Sequence, residues 1–84
     1  MISQVAEKQL EKLDRTVQKK ILEYIVKNLK NTANPRRIGK PLRGKYNGLW
    51  RYKTGKYRII CNIKDDILEI LIIKIGHRSD IYKN

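Results

Sequence analysis

The chain has 84 residues, with 20 Lys+Arg against 8 Asp+Glu and a formal net charge of +12. That is one small domain, residues 1–84, which buries only about 60–65% of its unfolded surface and has room for one core and one shallow site, not a deep interdomain pocket. An apolar fraction of 40% excludes global disorder, and the cation excess surpasses what solubility needs and attracts polyanions, nucleic acid first and acidic protein second.

Ser3 to Asp14 reads as a short helix, because Ala6, Leu10, Leu13 and Val17 recur on one helical face. Ser3 is its expected N-cap, and Asp14 the cap of a second amphipathic helix over about Arg15 to Lys30, striped by Val17, Ile21, Tyr24, Ile25 and Leu29. With almost no linker between them, the two helices should form a hairpin or bent pair. Asn31 to Gly48 reads as a linker broken by Pro35, Gly39, Pro41, Gly44 and Gly48. It carries Arg36, Arg37, Lys40, Arg43 and Lys45 without one acid, a loop able to adapt to a phosphate backbone.

After Gly48 the period changes to two. Strands are expected over Leu49–Lys53, Lys56–Ile63 and Ile67–Ile75, joined at Thr54-Gly55 and Asp65-Asp66 as an antiparallel meander. The third, nearly continuously apolar, is expected to be central or covered on both faces. Two helices on one face of this sheet make an α+β domain. Cys61 sits in the apolar alternation IICNI and reads as a small core residue. The N-terminal MISQVAEKQ lacks the apolar core of a secretion signal, and the longest apolar run, Ile70 to Ile75 with Lys74 inside it, is too short for a bilayer. A cytoplasmic setting is expected, without a membrane partner.

A Thr54-Gly55 loop would place Arg51 directly across from Arg58, with Lys53 and Lys56 beside them, on the face away from Trp50, Tyr52, Tyr57, Ile59 and Cys61. Like charges opposed across a sheet are destabilising, and arginine's planar fork matches phosphate oxygens, so the pair points to an anion site. Gly76 is expected to end or kink the third strand, re-aiming His77, Arg78 and the nearby Tyr82. One His and one Cys cannot make a zinc site, and neither a Ser/His/Asp arrangement nor a P-loop is present, so no cofactor or metal is expected. Arg, Lys, His and Tyr suit cleavage of RNA by its own 2′-OH: the protein has only to align the backbone, neutralise developing charge and move protons.

The motifs L-R-G, G-L-W-R-Y, Y-R-I-I and G-H-R-x-x-I-Y, in this order behind AEKQLEKLD and a second amphipathic helix, make the chain resemble the RelE family of bacterial toxins, in the RelE/ParE superfamily, over nearly its whole length. The resemblance implies a RelE-like fold and an endoribonuclease, a ribosome-dependent mRNA interferase that cuts in the A site and is neutralised by a cognate acidic antitoxin. It implies catalytic roles for Arg51 and Arg58 on the scissile phosphate, Arg78 on the developing charge and Tyr82 against a base, with His77 as the candidate for proton transfer. Arg36, Arg37, Lys40, Arg43, Lys45, Lys53 and Lys56 would contact RNA and ribosome. Two features depart from the pattern. Leu49 stands where some members have a lysine, and Arg51 where they have a second. Only Met1 and Ile2 precede Ser3, so the usual initial strand should be very short or missing. A ParE-like inhibitor of DNA gyrase, and a catalytically inert relative binding an acidic antitoxin, remain alternative readings.

Overall fold

A computed structural model describes residues 2–64 and 69–82. Helix α1 spans Gln4–Glu11 and α2 Arg15–Ile25, and α2 runs on into a π-helical turn, Val26–Lys30. Both expected caps form: Ser3 Oγ accepts the Ala6 N–H and an Asp14 carboxylate oxygen accepts that of Thr16, each at 3.1 Å. The π-turn, closed by the Asn31 N–H on the Val26 carbonyl, inserts an extra residue into the helical count. It keeps Leu29 buried and leaves Val26 exposed.

The sheet has four strands in the order β1 (Lys40–Pro41), β2 (Trp50–Thr54), β3 (Tyr57–Lys64) and β4 (Glu69–His77), each antiparallel to its neighbour. Its helix-facing side supplies Tyr52, Ile59, Cys61, Ile72 and Ile75 to a core completed by Ala6, Leu10, Ile21, Ile25 and Leu29. Each large apolar side chain so enclosed contributes roughly 1.5–3 kcal/mol. This is the expected α+β architecture, two helices on one sheet face.

Four details differ from the sequence reading. The hairpin loop is Gly55-Lys56, not Thr54-Gly55: Thr54 pairs with Tyr57, Lys53 with Arg58 and Arg51 with Ile60. Gly55 has φ +59° and takes the first loop position, where II′ hairpin turns place glycine. The predicted linker contributes β1, because Gly39 lies against the Tyr52 ring, whose hydroxyl donates to the Pro35 carbonyl. β4 is not central but lies last in the sheet. Its long apolar run comes from a bulge: Ile60 pairs with Lys74 but Cys61 with Ile72, leaving Ile73 extra, so Ile72 and Ile75 can both face the core. Nor does Gly76 end the strand, which continues to His77. Asp65-Asp66 and the predicted start of the third strand lie outside the described residues.

The expected very short initial strand is a single parallel bridge from Ile2 to Ile72. The Ser3 N–H donates to the Ile72 carbonyl at 2.8 Å, and the Ile75 N–H donates to Gln9 Oε1 at 2.8 Å. A bridge and a glutamine side chain thus occupy part of an edge that a longer strand would cover.

Candidate nucleic-acid interface

Because paired residues in an antiparallel ladder point to the same side, the register fixes what lies on the face away from the helices. One row across the sheet is Lys40, Arg51, Ile60 and Lys74, and the next is Lys53, Arg58 and Gly76. The predicted Arg51/Arg58 opposition is therefore replaced by two like-charge pairs, Lys40 with Arg51 and Lys53 with Arg58. The two-residue shift leaves every side chain on its expected face, so the cation-lined surface survives the corrected register. Arg51 Nε on this face is buried without a hydrogen-bond partner, which is uncommon for a charged donor.

Arg58 is held in place. Its Nη1 donates to the carbonyls of Gly55 at 3.1 Å and Tyr57 at 3.0 Å, folding the guanidinium over the hairpin tip. The Arg78 N–H donates to the Lys56 carbonyl at 2.7 Å, so Arg78 and Lys56, both exposed, flank the same tip. Beyond it a helical turn closes, with the Asp80 and Ile81 N–H groups donating to the His77 carbonyl at 2.9 and 3.0 Å. Ile81, 2% exposed, packs on the side-chain-free surface of Gly76, its Cδ1 3.3 Å from where a Cβ would stand. Gly76 thus seats the C-terminal turn on the cation-lined face.

That seating brings Tyr82 beside Tyr46, which the sequence reading did not single out. The rings lie 5.4 Å apart at 56°, and the Tyr46 hydroxyl donates to the Tyr82 carbonyl at 3.2 Å. Lys45 Nζ stands 5.3 Å from the Tyr46 ring centre. A lone aromatic in the basic loop was the available signal.

Not every predicted site residue joins this group. His77 pairs with Tyr57 and meets its ring edge-on at 5.6 Å, which puts it on the helix-facing side at the sheet's end. Its Nδ1 lies 3.1 Å from the Ser79 amide and 2.7 Å from the Ser79 hydroxyl. Arg36 lies over the Trp50 ring, 5.7 Å from its centre, also on the helix side. Arg37 and Arg43 are exposed on the loop. Cys61 is fully enclosed, and burial pushes its thiol up to about 12, which suits a core residue and not a nucleophile. Among the described residues, no group of three or more His, Cys, Asp or Glu is placed to hold a metal, and no helix is long and apolar enough to cross a membrane.

A second surface lies at the other end of the molecule. A groove of about 750 Å³ runs between the α2 end and the far ends of β3 and β4, lined by Ile2, Leu22, Val26, Leu29, Ile63 and Ile70. Leu22 and Val26 are 41% and 46% exposed beside it.

Residues 1–82 match the family model described as the ParE toxin of the type II toxin–antitoxin system parDE. The chain belongs to this toxin family, within the RelE/ParE superfamily. It is 32% identical to toxin RelG of Mycobacterium tuberculosis over 78 residues, covering 93% of this chain and 87% of that one. It is 34% identical to toxin RelE of the same organism over 82 residues, covering 98% and 82%. Its fold superposes on a chain of the M. tuberculosis toxin–antitoxin complex RelBE2 with TM-score 0.82 at 27% identity, covering 93% and 94%. This RelE/ParE-superfamily toxin keeps that fold.

Proposed function

We propose that this type II toxin is a ribosome-dependent mRNA interferase. The reading rests above all on the two like-charge pairs, Lys40/Arg51 and Lys53/Arg58, held in register on one sheet face. An isolated protein gains nothing from them, whereas an RNA backbone would turn their repulsion into attraction. In the proposed reaction the RNA 2′-OH gives up its proton to solvent and attacks the adjacent phosphorus, the 5′-oxygen leaves and takes up a proton from solvent, and a 2′,3′-cyclic phosphate remains. Arg51 and Arg58 bind and polarise the scissile phosphate, Arg78 neutralises charge on the leaving side, and Tyr82 stacks on a base. The exposed Arg37, Lys40, Arg43, Lys45, Lys53 and Lys56 contact the surrounding RNA.

The ribosome requirement has a physical argument behind it. Arginine rarely gives up its proton, so Arg51 and Arg58, the groups placed on the phosphate, cannot act as efficient bases. The rate must then come from in-line alignment and charge neutralisation, and alignment is what a decoding site holding the mRNA would add. The antitoxin reading rests on the apolar groove, whose lining carries Lys30, Arg36 and Lys64 against one acid, Glu7, a balance that suits an acidic amphipathic segment. The match to ParE toxins keeps a second reading open, a gyrase inhibitor that cleaves no RNA.

Primer extension on translated mRNA after induction separates the two. Cuts within codons that vanish when translation initiation is blocked support the interferase. Intact mRNA with inhibited gyrase supports the alternative, and efficient cutting of naked RNA refutes the ribosome requirement.

A further inference from the structure

We propose that His77 is a positioning residue, the cap of the turn that carries Arg78, Ile81 and Tyr82, and that it transfers no proton. The inference rests on the interferase reading for its catalytic consequence, but its structural content stands apart. The Ser79 amide can only donate, and it points at His77 Nδ1 at 3.1 Å. In the neutral ring Nδ1 is therefore the acceptor, and the proton sits on Nε2. The Ser79 hydroxyl, 2.7 Å from the same nitrogen, reinforces that lone pair. The base site of the imidazole is thus occupied by the chain's own turn, and the other nitrogen already holds its proton.

The pattern around His77 is that of an N-cap. Its side chain accepts the N–H two residues on, while its carbonyl accepts those of Asp80 and Ile81. Asn and Asp usually fill this role, through an oxygen bonded to Cγ; in histidine the atom bonded to Cγ at that place is Nδ1. What the cap secures is a change of face. His77 lies on the helix side against Tyr57, and the turn after it crosses the sheet's end. It brings the Arg78 N–H onto the Lys56 carbonyl, Ile81 onto Gly76 and the Tyr82 carbonyl to the Tyr46 hydroxyl. Without the cap the strand can still pair, but Arg78 and Tyr82 lose the turn that carries them beside the hairpin tip and Tyr46.

Substitution separates a cap from a proton carrier. His77→Asn keeps an acceptor on Cγ and has no titrating group. His77→Gln moves the acceptor one bond farther out, and His77→Ala removes it. Expected are near-wild-type cleavage of ribosome-bound mRNA by His77→Asn, a loss of about fivefold or more in His77→Ala and His77→Gln, in line with removal of a helix cap, and a pH–rate profile of His77→Asn that superposes on wild type. If His77→Asn is as inactive as His77→Ala while folded, or loses a limb of the profile, His77 moves protons and the proposal is wrong. Nitrogen NMR of the free toxin decides independently of activity. An unprotonated Nδ1, with Ser79 amide protection kept in His77→Asn and lost in His77→Ala, supports the cap. A protonated Nδ1 in neutral His77 overturns it. Absence of mRNA cleavage by wild type would sink the interferase reading and leave the NMR result to judge the cap.

Discussion

Lys53 and Arg58 are opposed across β2 and β3, and neutralising one of them should make the free toxin more stable and its anion site weaker. Lys53→Gln keeps the length of the side chain and removes the charge. A like-charge pair directly opposed in a sheet costs roughly 0.2–1 kcal/mol, and a domain of this size gains about 4–8 °C in melting temperature per kcal/mol. An increase of roughly 1–8 °C is therefore expected in low salt. The gain should shrink in 1 M salt, where the screening length falls to about 3 Å. The same variant should bind RNA more weakly, with a salt dependence shallower by about one phosphate contact. Thermal melts at two salt concentrations and RNA titrations over a salt series read both effects. A lower melting temperature in low salt would mean that no repulsion is stored there, and the main argument for an anion site would fall with it.

Arg58→Ala removes two guanidinium–carbonyl bonds at a half-buried position. It should cost about 1–3 kcal/mol of stability but about 10²–10³ in mRNA cleavage, so full activity by primer extension would refute the assignment. Gly39→Ala places a Cβ 2.8 Å from the Tyr52 ring, and overpacking should cost about 1–3 kcal/mol by denaturant titration. Tyr46→Phe removes the bond to the Tyr82 carbonyl; a few-fold drop in cleavage with an unchanged melting temperature is expected, and equal activity would show that Tyr82 needs no such anchor. The Cys61 thiol rises from 9.0 to about 12 on folding. Below pH 9 both states keep the proton. From there towards pH 12 only the unfolded chain releases it, so stability should fall by up to about 1.4 kcal/mol per pH unit. Cys61→Ala should lose the part of the slope between pH 9 and 10 in alkaline melts, while Tyr52, which burial pushes up from 10.0 to about 12, keeps a slope above pH 10.

Much of this was readable because it is local. Ser3 and Asp14 announce their helices, and the stripes from Ala6 to Leu29 name the faces that pack. The period-two alternation assigned Arg51, Lys53 and Arg58 to one side even though the turn was displaced, since a two-residue slip moves partners but not faces. Which partners meet was not readable. Gly55 fits either position of a two-residue loop by sequence alone, and only the assembled sheet places it first. The basic loop was opaque for a different reason. Its path is set by Tyr52 reaching Pro35 and by Gly39 lying against the Tyr52 ring, contacts between segments with no periodic relation. Lys40 therefore read as one cation among several and not as the neighbour of Arg51. Likewise, the GHR motif drew attention to His77 and Arg78 together, but adjacent residues on a strand point to opposite faces. A histidine that reads as part of a catalytic cluster thus packs on Tyr57 instead.

The separation of the two surfaces constrains how neutralisation would work. The cation rows lie on the outer face, near the Gly55-Lys56 tip, while the apolar groove lies on the helix side, beside Ile63 and Ile70 at the other end of the strands. An acidic segment confined to the groove would leave Arg51, Arg58 and Arg78 uncovered. Its inhibition would have to come from added bulk that keeps the toxin out of the decoding site, or from a continuation of the same segment around a sheet edge. The β1 edge is two residues long and carries Pro41, a poor template for strand addition. The β4 edge carries the Ile2 bridge, the Ser3 amide and the Gln9 side chain. A partner that passes from the groove to the outer face by pairing with a strand would therefore meet β4, next to the Ile2–Ile72 bridge.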